Sequence, residues 1–185
     1  MGYTLAGAFI HEGHSVLLVS GPTALDVPEN VDFIPVETAA EMHEVVSKHI
    51  GRMDIAVFVA AVADYTPATV EPQKIKKSEG AVTLALVRTA DILGSAREKF
   101  GFSGTLVGFA AETENLEANA REKLVRKRCD LIIANDVSQP GIGFDSDSNQ
   151  VLLIYPDRTE SLPFASKHDL SLQLVDAIIA LPPHL

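Results

Sequence analysis

The sequence predicts an α/β protein built on a three-layer, doubly wound and mainly parallel sheet, with an additional antiparallel strand pair. Three observations carry this reading. The runs 55–61 (IAVFVAA), 105–111 (TLVGFAA) and 130–136 (DLIIAND) are apolar with little polar alternation, the pattern of strands buried on both faces. Helically spaced segments separate the strands in regular alternation, as crossover connections between parallel strands require. After Asp136 the pattern changes to two strand-like runs around a Pro-Asp turn.

The chain opens on MGYTLAGAFIHEGHSV, where Leu5, Ala6, Phe9 and Ile10 share a helical face with no cap and no strand before them. A doubly wound domain opens with a strand and a tight turn, so the expectation is a single domain over 1–185 that lacks its first strand. Residues 15–20 (SVLLVS) form the first strand present, and VDFIPV forms a short second one. Thr38 and Glu41 make a capping box for a helix to Ile50, with Gly51 as its stop. The strand 55–61 then delivers a polar loop that closes on Lys74, Lys76 and Lys77. A strand at 81–87, a helix from Asp91 to Phe100, the strand 105–111, a helix from Asn115 to Arg128 and the strand 130–136 follow. A loop over 137–149, the hairpin in NQVLLIYPDRTESLPF and a closing helix over 166–180, with Leu170, Leu174, Val175 and Ile178 inward, complete the domain, and LPPHL is a frayed tail.

Composition narrows the function. With 185 residues and 46% apolar content the chain has enough core for one domain. A formal charge of -10 argues against nucleic acid as a partner. The positive charge is clustered at 74–77 and 121–128, and such islands on an acidic protein suit a small polyanion. Cys129 is the only cysteine, so no disulfide framework exists and a reducing, cytoplasmic setting is expected. No signal peptide or long apolar span is visible, so no membrane partner is expected.

The candidate site lies where the strands end, because loops leaving neighbouring strand ends converge at the carboxyl edge of an open parallel sheet. Ala60, Ala61 and Ala63 carry only methyl groups and admit a ring or ribose close to the backbone; Asp64 can accept from hydroxyls or hold a cation. A plainer reading is a core strand with a solvated basic loop. Ala90, Asp91, Ile92 and Leu93 open a helix whose first N–H groups can face phosphate. Phe109, set among glycine and alanines, is either a stacking platform or a core phenylalanine. Lys123 and Lys127 lie four apart on one helical face, where they either clamp an anion or form a solvated basic stripe. Segment 145–149 (DSDSN) begins like a calcium loop but lacks its glycine and closing glutamate, and the six histidines form no metal pattern. No complete G-x-G-x-x-G occurs.

Five segments, AAVADY (60–65), KIKK (74–77), GFAAET (108–113), KLVRK (123–127) and ANDVS (134–138), together resemble the phosphopantothenate-cysteine ligase family, the carboxyl-terminal half of the bacterial bifunctional coenzyme A biosynthesis protein. The resemblance implies a Rossmann-like fold and a ligase that joins 4'-phosphopantothenate to cysteine through a CTP-derived acyl-cytidylate. Lys74 matches the catalytic lysine of that family. Val59, Ala60, Asp64, Lys74, Ala90, Asp91, Ile92, Leu93, Phe109, Lys123 and Lys127 match nucleotide-binding positions, and Ala61 an intermediate-binding one. Magnesium, with no ligands assigned, CTP as cosubstrate and a homodimer made by strands outside the main sheet are likewise implied; residues 144–163 are the expected contributor to that dimer. So is a phosphopantothenoylcysteine decarboxylase domain as partner, with FMN only on that domain. Family members begin with a strand and a glycine-rich segment of which only Met1 and Gly2 are present here, so an amino-truncated domain is expected. The alternatives are a nicotinamide- or flavin-dependent oxidoreductase on a similar sheet, against which the lysine loop speaks, and a non-catalytic nucleotide-binding remnant.

Overall fold

The computed structural model describes residues 1–76, 80–136 and 148–182. Lys77, residues 137–147 and the last three residues, on which parts of the lysine loop, the ANDVS segment, the calcium-like loop and the tail fall, lie outside the described residues. In chain order the elements are α1 (Gly2–His11), β1 (Leu17–Ser20), β2 (Asp32–Pro35), α2 (Ala39–His49), β3 (Ile55–Phe58), β4 (Tyr65–Pro67), β5 (Leu86–Arg88), α3 (Ile92–Glu98), β6 (Thr105–Glu112), α4 (Leu116–Lys127), β7 (Leu131–Asp136), β8 (Ser148–Ile154), β9 (Thr159–Ser166) and α5 (Lys167–Ile179).

The main sheet has the order β3-β6-β7-β8-β9. β3, β6 and β7 are parallel, and β8 and β9 extend the sheet antiparallel. Side chains on a strand alternate between faces, and here both faces are covered, which is why the sequence shows little alternation. Val107, Leu131, Ile133, Val151 and Leu153 pack against Leu5 and Phe9 of α1 and Leu170, Leu174, Val175 and Ile178 of α5. Leu106, Ala110, Ile132, Ala134 and Ile154 pack against Ala96 of α3 and Ala120 and Leu124 of α4. Three layers result, as the sequence predicts.

The helix ends follow local chemistry. Thr38 accepts from the Glu41 N–H while the Glu41 carboxylate accepts from the Thr38 N–H, the expected capping box of α2. Gly51 does not act as a left-handed stop; the chain tightens into a 3-10 turn over Ile50–Arg52 instead. Ser166 caps α5 by accepting from the Asp169 N–H, and α1 has no side-chain cap. On α1, Ala8 is buried in place of Ile10, which is half-buried.

Two strand expectations are corrected. The run 55–61 yields a strand only over Ile55–Phe58, half-buried throughout, with Ala60 and Ala61 exposed. Its physical cause is position: among the described residues β3 pairs only with β6 and is the edge of the main sheet, while β1 and β2 form a separate parallel pair. The run 81–87 is not a core strand either. Only Leu86–Arg88 is extended, and it pairs antiparallel with β4 in an exposed arm outside the main sheet. The β8–β9 hairpin forms as expected, but within the main sheet.

Candidate functional site

The arm formed by β4 and β5 fixes the first part of the site. Its register pairs Tyr65 with Arg88, and Thr89 extends the contact: its N–H donates to the Asp64 carbonyl at 2.9 Å and its hydroxyl to the Ala63 carbonyl at 2.6 Å. The Asp64 segment and the Ala90–Leu93 segment, distant in sequence, are thereby held side by side. Val59 lies half-buried beside the first turn of α1, where the Cβ direction of Gly2 points at the Val59 side chain, 3.6 Å away.

α3 and α4 supply the second part. Asp91 caps α3, with Oδ1 accepting from the Gly94 N–H at 2.9 Å. Its Oδ2 pairs with the Lys127 ammonium. One turn earlier on α4, Lys123 donates to the Phe109 carbonyl at 2.6 Å. The two lysines share a helical face turned inward: the Lys127 side chain is 15% exposed, whereas that of Arg126, paired with Glu122, is 61% exposed. A solvated basic stripe is therefore not what these lysines form.

Their surroundings set their charge balance. Burial pushes the Lys123 ammonium below its ordinary range, opposed by nearby Cys129 and Glu112. For Asp91 burial works upward, but the Lys127 ammonium and the Gly94 N–H outweigh it, and the carboxyl sits below its usual value. Cys129 is pushed up to about 12, by burial first and by Asp130 second.

The frame under the site is rigid. Arg97, with a side chain 6% exposed, donates to the carbonyls of Phe102 and Gly104 at 2.8 Å each and to Asp130 at 2.6 Å. Asp130 also accepts from the Leu106 N–H at 2.7 Å, so the starts of β6 and β7 are tied to α3. At the other end of α4, Arg121 bridges Glu117 and Thr159, which latches the helix to the β8–β9 hairpin.

Not all predicted positions converge. The Phe109 side chain packs toward the α1 and α5 face, whereas α3 and α4 cover the opposite face; only the Phe109 carbonyl meets Lys123. Lys74 and Asp64 are exposed, and neither forms an ion pair among the described residues. Ala60 and Ala61 are exposed at the strand end. Sequence reasoning missed Thr89, Arg97 and Arg121 as the residues that hold the parts together. The i,i+4 pair Glu117 and Arg121 was the available signal for one of them; Thr89 and Arg97 act across sequence separations that no local pattern reports. Among the described residues, no group of three or more His, Cys, Asp or Glu is arranged to hold a metal ion, and no helix is long and apolar enough to cross a membrane.

Comparison with known proteins agrees with this architecture. The chain is 47% identical over 183 residues to the coenzyme A biosynthesis bifunctional protein CoaBC of Bacillus subtilis (strain 168), covering 98% of this chain and 45% of that protein. It is 43% identical over 182 residues to CoaBC of Escherichia coli (strain K12), covering 97% of this chain and 45% of that one. The chain thus spans about half the length of these curated relatives. Among solved structures, the C-terminal domain of CoaBC superposes with a TM-score of 0.79 at 34% identity, covering 95% of this chain and 79% of that one. The H337A mutant of Cab2 in complex with phosphopantothenate-cysteine shares the fold at a TM-score of 0.76 and 16% identity, covering 96% and 75%. The DNA/pantothenate metabolism flavoprotein C-terminal domain family matches residues 1–181, and the chain belongs to that family.

Proposed function

We propose that this chain is the ligase part of a coenzyme A biosynthesis protein, joining 4'-phosphopantothenate to cysteine at the expense of CTP. The observation that carries the reading is the inward-facing pair Lys123 and Lys127 beside Asp91, two ammonium groups concentrated on an otherwise acidic protein. A triphosphate and a carboxylate repel each other, and bringing them together requires cations fixed in advance. In the first step the pantothenate carboxylate oxygen bonds to the α-phosphorus of CTP and pyrophosphate leaves. In the second the cysteine amine bonds to the acyl carbon, the C–O bond to phosphate breaks, CMP leaves and a proton is released.

Within this reading Lys74 is the catalytic residue, presenting its ammonium to the charge that develops on the phosphates. Asp64, Phe109, Lys123 and Lys127, with the backbone at Val59 and Ala60 and from Ala90 to Leu93, bind the nucleotide, and Ala61 lies against the intermediate. Magnesium would arrive with the nucleotide phosphates, and among the described residues the exposed Asp64 carboxylate is a candidate protein ligand; the ion would neutralise phosphate charge. A decarboxylase half, bearing FMN, would account for the additional length of the relatives.

Two structural proposals accompany the activity. The chain works as a homodimer to which the region 144–163 contributes, because β9 forms an edge of the main sheet; the β4–β5 arm, with Tyr65, Leu86 and Val87 exposed, offers a second surface. Among the described residues β1 pairs with β2 alone and β3 with β6 alone, and the second proposal is that a further strand pairs with both. Pyrophosphate release tests the chemistry: with magnesium, it should require both 4'-phosphopantothenate and CTP, and ATP should not substitute. Release without 4'-phosphopantothenate, or equal rates with ATP, would overturn the assignment.

A further inference from the structure

We infer that Asp91 is a built-in competitor for Lys127, so that a phosphate-bearing ligand binds by displacing the Asp91 carboxylate from the Lys127 ammonium. The inference rests on the nucleotide-binding reading above and concerns how that same site is controlled. The two lysines of the site differ in one respect. Lys123 donates to the neutral Phe109 carbonyl, whereas Lys127 faces a full negative charge. The cleft beside the pair, about 150 Å³, is walled by Arg97, Arg126 and Arg128. Each of those arginines already has its own carboxylate: Asp130, Glu122 and Glu98 respectively.

The division of labour within Asp91 makes displacement cheap. Oδ1 holds the α3 cap through the Gly94 N–H, and Oδ2 alone meets Lys127. A phosphate oxygen can replace Oδ2 on the ammonium while Oδ1 keeps the cap, so α3 need not unwind. The two side chains are also unequally placed. Asp91 is 54% exposed and can turn toward water, while Lys127, at 15%, stays where it is. In the empty site the carboxylate satisfies a cation that would otherwise be half-desolvated and unpaired; in the filled site it is a rival anion.

The test is calorimetric titration of the full chain with CTP and magnesium, comparing wild type, Asp91→Asn, Lys127→Gln and the double variant. Asparagine is as good an N-cap as aspartate, so Asp91→Asn removes the charge and keeps the helix end; an unchanged helix signal in circular dichroism verifies this. Asp91→Asn should bind about two- to fivefold tighter, the range expected for removing one partly exposed ion pair. Lys127→Gln should bind more weakly, and the double variant should match Lys127→Gln, because the gain depends on the freed ammonium. Asp91→Asn binding no tighter than wild type, or a gain that persists without Lys127, overturns the inference while leaving nucleotide binding intact. Absence of any CTP binding by wild type would overturn both.

Discussion

Lys74 and Cys129 mark the two extremes of side-chain environment in this protein. Lys74 is exposed in the loop between β4 and β5 and makes no ion pair among the described residues, so no contact among them depends on its charge. Lys74→Gln should therefore leave the melting temperature within a degree or two while reducing CTP- and phosphopantothenate-dependent pyrophosphate release by about a hundredfold or more, the usual loss when a transition-state donor is removed. Pyrophosphate release at the normal rate would reassign Lys74 to the surface. Cys129 is the converse, a thiol 5% exposed and pushed up to about 12. At pH 8 only about one molecule in ten thousand would carry the reactive thiolate. Iodoacetamide should thus label the native protein no faster than the protein opens, and adding urea should accelerate labelling in step with unfolding. Labelling at the rate of a free thiol in native buffer would show that the Cys129 thiol does not stay buried.

At the scale of elements, the legible features were those encoded by neighbours in sequence. The Thr38 and Glu41 capping box lies within four residues, and the inward stripe of α5 repeats at steps of three and four; both form as read. Lys123 and Lys127 were legible as a pair because a helix turns them to one side, but their burial was not, since it depends on the Phe109 carbonyl and on Asp91, 36 residues away. β3 shows the same limit from the other direction. Its composition is that of a central strand, yet whether a strand has one neighbour or two is decided by the rest of the chain. The β4–β5 arm was illegible because three-residue exposed strands carry no periodicity. Gly104 tests how tightly β3 is docked where it does have a partner. A Cβ there would stand 2.2 Å from the Asp54 carbonyl oxygen, the same oxygen that accepts from the Thr105 N–H at 2.8 Å. That neighbour is backbone and cannot rotate away, so Gly104→Ala should destabilise by about 2 kcal/mol or more. Denaturant titration with an unchanged midpoint would mean that the start of β6 is free to shift.

The largest question for the whole molecule is how two parallel sheets share one helical cover. Val16, just before β1, and Ile55 and Val57 of β3 all pack into the cluster that contains Leu5 and Phe9 of α1, yet among the described residues β1 pairs only with β2 and β3 only with β6. An added strand between them would pair on both sides, join the two sheets into one and bury the half-exposed flanks of β1 and β3. Each new ladder bond is worth about 1 kcal/mol net, and a strand of four residues would stabilise the domain by on the order of 3 kcal/mol against a total of about 5 to 15. For a domain of this size that corresponds to a rise in melting temperature of about 6–12 °C. The same strand would end at the carboxyl edge beside Val59 and the first turn of α1. A version of the chain carrying a strand that pairs with both β1 and β3 should therefore melt higher than the 185-residue chain, with nucleotide binding retained by both. Equal melting temperatures would remove the strand from the space between β1 and β3.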